Sequence, residues 1–191
     1  MRIESIQLGR ARKVSIGGRR VLTAIHKSGA GGPVEVRPLG LVGDEQADLS
    51  VHGGLEKAVY AYPAEHYPFW AEQRRNAGVA GFDDQVLHGS VGENLTVSGL
   101  LEADVWVGDV LQFASCTLRV EQPREPCFKF NAAMGFNGAV KSMAQNGNCG
   151  FYLSVDRPGL LQAGEEFDLL PGARRVSIAE RFQARMFKQM R

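Results

Sequence analysis

The sequence predicts a mainly β fold with a few helices, its short strands curling into a closed or nearly closed β-barrel. Three observations carry this. Glycine accounts for 23 of 191 residues, against an average near ~7%, and is spread along the chain rather than gathered in a linker. Short alternating segments recur between the glycines, the pattern of many strands joined by turns. One segment near the C-terminal end shows a sharp helix start.

The elements follow in order. Arg12–Ile16 and Arg20–Ile25 flank Gly17-Gly18, and two glycines accept the positive φ of a tight hairpin turn. Val34-Glu35-Val36 alternates as a strand does. Pro63 to Asn76 reads as a helix, with Pro68 tolerated early in it. Val105–Val107, Val110–Phe113 and Thr117–Val120 read as three further strands, and Gly164–Leu170 as a faint echo. Asn131 to Gln145 reads as one or two short helices interrupted near Gly135–Gly138. Ser177-Ile178-Ala179-Glu180 is a capping box, and Ile178, Phe182 and Met186 share one face of the helix it opens. This assigns residues 1–172 to the β-barrel domain and 173–191 to a helical appendage.

Composition narrows the function classes. Net charge is +1, with 44% hydrophobic and 23% charged residues, so no sequence-wide field draws in nucleic acid, and no nucleic-acid module is present. No apolar run is long enough for a bilayer, and Met1–Arg12 lacks the apolar core of a signal peptide. The expected location is the cytoplasm. The cysteines Cys116, Cys127 and Cys149 are odd in number and widely spaced, a poor disulfide framework, and no CxxC suggests structural zinc.

The richest stretch for chemistry is Glu121 to Asn131. Pro123 and Pro126 stiffen the exit from a strand, and Arg124 and Lys129 bracket Cys127. Nearby cations favour the thiolate, which is both a nucleophile and a soft metal ligand. On these residues alone, a reactive Cys127 and a packed one stand level. A second cluster, Gly43 to Lys57, holds Asp44, Asp48, His52, Gly53, Gly54 and Lys57. Its glycines let backbone approach a ligand, its N–H groups suit phosphate oxygens, and Lys57 adds a point charge. The competing reading is an ordinary polar loop. Metal binding by His52 with Asp44 or Asp48 has no standard spacing behind it. In Gly92-Glu93-Asn94, Asn94 either orients a heterocycle or closes a turn. His26, His66 and His88 are read as structural, and Cys116 and Cys149 as packed.

In order, Gly43-Asp44 with Gln46-Ala47-Asp48, His52-Gly53-Gly54, Tyr62-Pro63 with Glu65-His66-Tyr67 and Trp70, Gly92-Glu93-Asn94, and Gln122-Pro123-Arg124 with Pro126-Cys127, Lys129 and Asn131 form one combined pattern. It resembles the MOSC domain, named for the molybdenum cofactor sulfurase C-terminus, and more narrowly its YiiM-like branch, from about Arg10 to Leu170. The resemblance implies a MOSC-type β-barrel plus a C-terminal helix, binding a molybdenum–molybdopterin cofactor. It implies Cys127 as catalytic residue and metal ligand. It implies cofactor contacts from Arg124, Lys57, His52, Gly53, Gly54, Asp48, Asn94, Lys129 and Asn131. The implied activity is reduction of small N-hydroxylated compounds, hydroxylated purine bases among them, protecting against base-analogue toxicity with electrons from a separate flavoprotein or iron–sulfur partner. YiiM-like members commonly carry a multi-helix C-terminal extension, where this sequence has one helix, Ser177 to Arg191. No nucleic-acid or membrane partner is expected, and a homodimer is compatible with the sequence. The alternatives are a non-catalytic carrier of sulfur or cofactor, with a Cys127 persulfide, and a cysteine hydrolase using His52 as base.

Overall fold

The computed structural model describes residues 1–47, 53–81 and 83–189. The strands are β1 Arg2–Leu8, β2 Arg12–Ile16, β3 Arg19–Thr23, β4 Ser28–Gly29, β5 Val34–Arg37, β6 Gly40–Leu41, β7 Val59–Pro63, β8 Leu95–Ser98, β9 Val110–Gln112, β10 Thr117–Pro123, β11 Phe151–Arg157, β12 Gly159–Leu161 and β13 Asp168–Leu170. The helices are α1 Tyr67–Asn76, α2 Phe128–Met134, α3 Ala139–Asn146 and α4 Ile178–Gln189, with 3₁₀ turns at Leu55–Lys57 and Ala64–His66.

Eight strands form the main sheet in the order β13-β9-β10-β11-β7-β8-β1-β4. Its pairs are antiparallel except β7 with β8, which run parallel with Ala61 opposite Leu95. β12-β5-β6 is a separate sheet, and β2-β3 is a hairpin on its own. The expected closed barrel is not formed. The ladder starts at β13 and ends at β4 without a return pairing among the described residues. The physical reason is that β4 and β13 are only 2 and 3 residues long, and the remaining strands pair among themselves. The sheet does curl: an isolated bridge joins Arg2 to Glu166. Ile3 N–H donates to Glu165 O at 2.9 Å, and Gly164 N–H to Ile3 O at 2.7 Å.

The β2-β3 turn is as expected, with Gly17 at φ 56° and Gly18 at φ 78°. Residues Asn131 to Gln145 hold parts of two helices, separated after Gly135 turns left-handed at φ 81° and ends α2. Pro68 sits in the first turn of α1, where its missing N–H costs nothing. The expected strand Val105–Val107 is not one. Trp106 makes only an isolated bridge to Ser177, because its neighbours bond to the chain entering α4: Val107 N–H to Val176 O at 3.1 Å and Ile178 N–H to Val105 O at 2.9 Å.

β7 is the centre of the core, with all five residues buried. Ile3, Val97, Leu118, Val120, Phe151 and Leu153 from the neighbouring strands are fully buried beside it. Gly150 lets β11 approach: a Cβ there would lie 2.4 Å from Ala61 O, at a φ of +63°. α4 covers β10 with Ile178, Phe182 and Met186 buried in that core, while Arg181 donates to Glu121 O at 3.3 Å. The capping box is complete: Glu180 N–H donates to Ser177 Oγ at 3.1 Å, and Ser177 N–H donates to Glu180 Oε2 at 2.8 Å.

Candidate functional site

The ends of β3 and β10, the approach to β8, the starts of β7 and β11, and the segment after β6 converge on one cleft. β10 runs out at Pro123, and the stiff Arg124-Glu125-Pro126 exit sets Cys127 in extended backbone (φ −125°, ψ 171°) as the residue capping α2. Its carbonyl accepts the Phe130 N–H at 2.8 Å, which leaves the half-buried side chain on the cleft wall.

Arg124 lies beneath it, 5% exposed. Its guanidinium stacks 4.8 Å from the Phe130 ring centre and 5.4 Å from that of Tyr60, and Nη1 donates to Met143 Sδ at 3.5 Å. Among the described residues no carboxylate pairs with it. Burial opposes its charge, but the pull of Tyr60, Tyr152 and the Cys127 sulfur outweighs that and raises its pKa. A buried cation with aromatic faces and a sulfur around it, and no acid, is set to receive an anion.

The opposite wall is built on a buried ion pair that the sequence reading did not identify. Lys27 Nζ donates to Asp44 Oδ1 at 2.6 Å and Oδ2 at 2.7 Å, with side chains 7% and 9% exposed. Asp44 also accepts the Gly9 N–H at 2.7 Å and Asn94 Nδ2 at 2.9 Å. Burial lowers the Lys27 pKa, with Asp44 pulling the other way. The one signal in the sequence was a lysine close behind the apolar Ala24-Ile25, with His26 between. Nothing local linked it to Asp44.

Six of the candidate residues line this cleft together: Gly53, Lys57, Asn94, Arg124, Cys127 and Lys129. Lys57 Nζ sits 5.9 Å from the Tyr152 ring centre, and Lys129 Nζ donates to Leu22 O at 3.1 Å. Gly54 backs the cleft, its N–H donating to Gln46 Oε1 at 3.0 Å. The Asn94 amide is committed to the protein: Nδ2 donates to Asp44 and to Gln7 O, and Oδ1 accepts the Tyr60 N–H. It holds Asp44 and the β1-β8-β7 junction together rather than presenting a spare amide to a ligand. Asn131 faces away, with Oδ1 accepting the Val140 N–H at 2.8 Å at the start of α3. Asp48 and His52 lie outside the described residues.

The other cysteines are packed. Burial and Glu165 push the Cys116 thiol up to about 12, and burial raises that of Cys149 well above its ordinary value. No cysteine is in a disulfide. Among the described residues no cluster of three His, Cys, Asp or Glu side chains is placed to hold a metal. His66 bonds Glu102 at 2.8 Å and His88 bonds Ser5 at 2.6 Å, both away from the cleft. No helix among the described residues is long and apolar enough to cross a membrane.

Residues 48–168 match the MOSC domain. The chain belongs to the MOSC family. It is 39% identical over 176 residues to YflK of Bacillus subtilis (strain 168), covering 91% of this chain and 76% of that one. It is 34% identical to YiiM of Escherichia coli (strain K12), covering 83% and 68%. A protein named reductase in Gibberella moniliformis is 33% identical over 86% of this chain, which spans 28% of that longer protein. The crystal structure of YiiM from Geobacillus stearothermophilus superposes with a TM-score of 0.77 at 29% identity, covering all of this chain and 86% of that one. MOSC domains are associated with binding the molybdenum cofactor. The donor set of this MOSC cleft fits that group: one reachable soft sulfur for the metal, and Arg124, Lys57 and Lys129 for an anionic phosphate.

Proposed function

We propose that this MOSC domain binds a molybdopterin-type cofactor in the Cys127–Arg124 cleft and reduces small N-hydroxylated compounds, purine bases among them. Electrons come from a separate flavoprotein or iron–sulfur donor. The observation that carries the proposal is a half-buried Cys127 beside a buried Arg124 that pairs with no carboxylate among the described residues. The fungal relative named reductase supports a redox role.

When bound, the cofactor would supply the redox chemistry that N–O cleavage needs. The net change is R–NHOH + 2e⁻ + 2H⁺ → R–NH₂ + H₂O. The chain's own residues fix position and charge. Cys127 would hold the metal by its sulfur, while Arg124 would hold an anionic group with little loss of rotamer freedom, because Phe130 and Tyr60 already clamp its plane. Lys57 and Lys129 close the mouth with positive charge. The Lys27–Asp44 pair, tied to Asn94, keeps the far wall rigid.

The test is anaerobic reduction of N-hydroxylaminopurine by cofactor-replete protein, driven by reduced methyl viologen. Wild type should form the amine and Cys127→Ser should not. Cofactor retained with no turnover under any reductant would overturn the enzyme reading in favour of a carrier.

A further inference from the structure

The β2-β3 hairpin stands outside both larger sheets and concentrates charge. Residues 10–23 hold Arg10, Arg12, Lys13, Arg19 and Arg20 and no acid, in a chain whose net charge is only +1. The rest of the molecule is therefore net acidic, and the hairpin is a local positive field. All five cations are exposed, and among the described residues none makes an ion pair. The register puts Lys13 opposite Leu22 and Ser15 opposite Arg20. Opposed residues share a face, and all four of these are exposed.

The hairpin that carries this face meets the cleft at its base. β3 ends at Thr23, which lines it, and Lys129 of the cleft bonds the Leu22 carbonyl. Two apolar side chains are exposed here: Leu22 at 43%, opposite Lys13, and Phe128 at 56%, between Cys127 and the Lys129 that bonds the hairpin. A surface for phosphate or nucleic acid gains nothing from an exposed leucine. A protein interface uses apolar residues at its centre and charge at its rim.

We propose that this hairpin face, with Leu22 and Phe128, is the docking surface for an acidic protein, the electron donor of the cleft. The proposal rests on the reductase reading above. It places the donor's acidic face over the basic strands and against the mouth that holds Cys127. Long-range attraction sets the encounter, and the apolar pair sets how long the complex lasts.

The test uses an acidic flavodoxin as donor probe with the full-length, cofactor-replete protein. Binding of labelled flavodoxin is read by anisotropy, and amine formation is read with either flavodoxin or reduced methyl viologen as donor. Lys13→Glu with Arg20→Glu should weaken flavodoxin binding roughly tenfold or more at low salt. The gap should close between about 0.01 M and about 1 M salt, as the screening length falls from ~30 Å to ~3 Å. Leu22→Ser should weaken binding at every salt concentration without changing the slope. Viologen-driven turnover should be unchanged in both variants. Unaltered flavodoxin binding in the charge-reversed variant overturns the proposal, as does tighter binding of a polyphosphate or single-stranded oligonucleotide at the same residues. Wild type inactive with both donors would instead sink the reductase reading, while the binding arm still judges the surface.

Discussion

Removing Asp44 leaves the Lys27 ammonium buried without its partner, and the cost can be worked from the contacts. At an N···O distance of 2.6 Å and an effective dielectric constant of about 20, the pair attracts by roughly 6 kcal/mol. Desolvation cancels much of that in the intact protein, but breaking one side of such a pair costs about 3–5 kcal/mol. Asp44→Ala also strands the Gly9 N–H and removes one of the two acceptors of Asn94 Nδ2, at about 1 kcal/mol each. The sum approaches the whole stability of a small domain, about 5–15 kcal/mol. Urea unfolding followed by tryptophan fluorescence reads it. Lys27→Met with Asp44→Ala should lose less than the sum of the single changes, with a coupling of about 2 kcal/mol or more. The pH dependence has a defined sign. The folded Lys27 pKa lies below its ordinary 10.5, so between the two values the unfolded chain binds more protons and stability rises with pH. The penalty is full below the folded value and gone above the ordinary one. Asp44→Ala removes the attraction that holds the folded pKa up, so it should steepen that rise. A loss below about 1 kcal/mol, or no coupling, would refute the pair as the rigid wall of the cleft.

Three further outcomes are expected. With Cys116 pushed up to about 12 and Cys149 also raised, a thiol reagent at mildly alkaline pH should label Cys127 first in native protein. All three cysteines should react after unfolding, and mass spectrometry of the labelled peptides distinguishes these results. Phe182→Ala empties a core position that is 1% exposed and should cost about 3–5 kcal/mol in urea, whereas loss of a peripheral helix would cost far less. Ser177→Ala removes the side-chain half of the capping box and should cost about 1 kcal/mol, read as a modest fall in thermal midpoint.

Much of this was legible because the signals were local. The Gly17-Gly18 turn needs two positive φ values, and the chain supplies two glycines there. The α4 cap and its apolar face lie within a few residues of each other. The Arg124–Cys127 exit from β10 was readable for the same reason. The strand β7 was not legible, because it is buried on both faces and shows no alternation. Val105–Val107 alternates and still is no strand, since its hydrogen bonds go to the entry of α4. The Lys27–Asp44 pair was hidden for a different reason. It joins residues 17 apart, and what fixes it is Asn94, brought from β8 by pairing with β1. Barrel closure depends on the length of the edge strands, which periodicity does not report.

The direct measurement is molybdenum K-edge absorption on protein made in a host that synthesises the cofactor, comparing wild type with Cys127→Ser. Near-stoichiometric molybdenum with a sulfur shell that thins in the serine variant is the expected result. Wild type without molybdenum, or a metal whose sulfur neighbours do not change, would contradict the assignment of Cys127 as the residue that holds the metal.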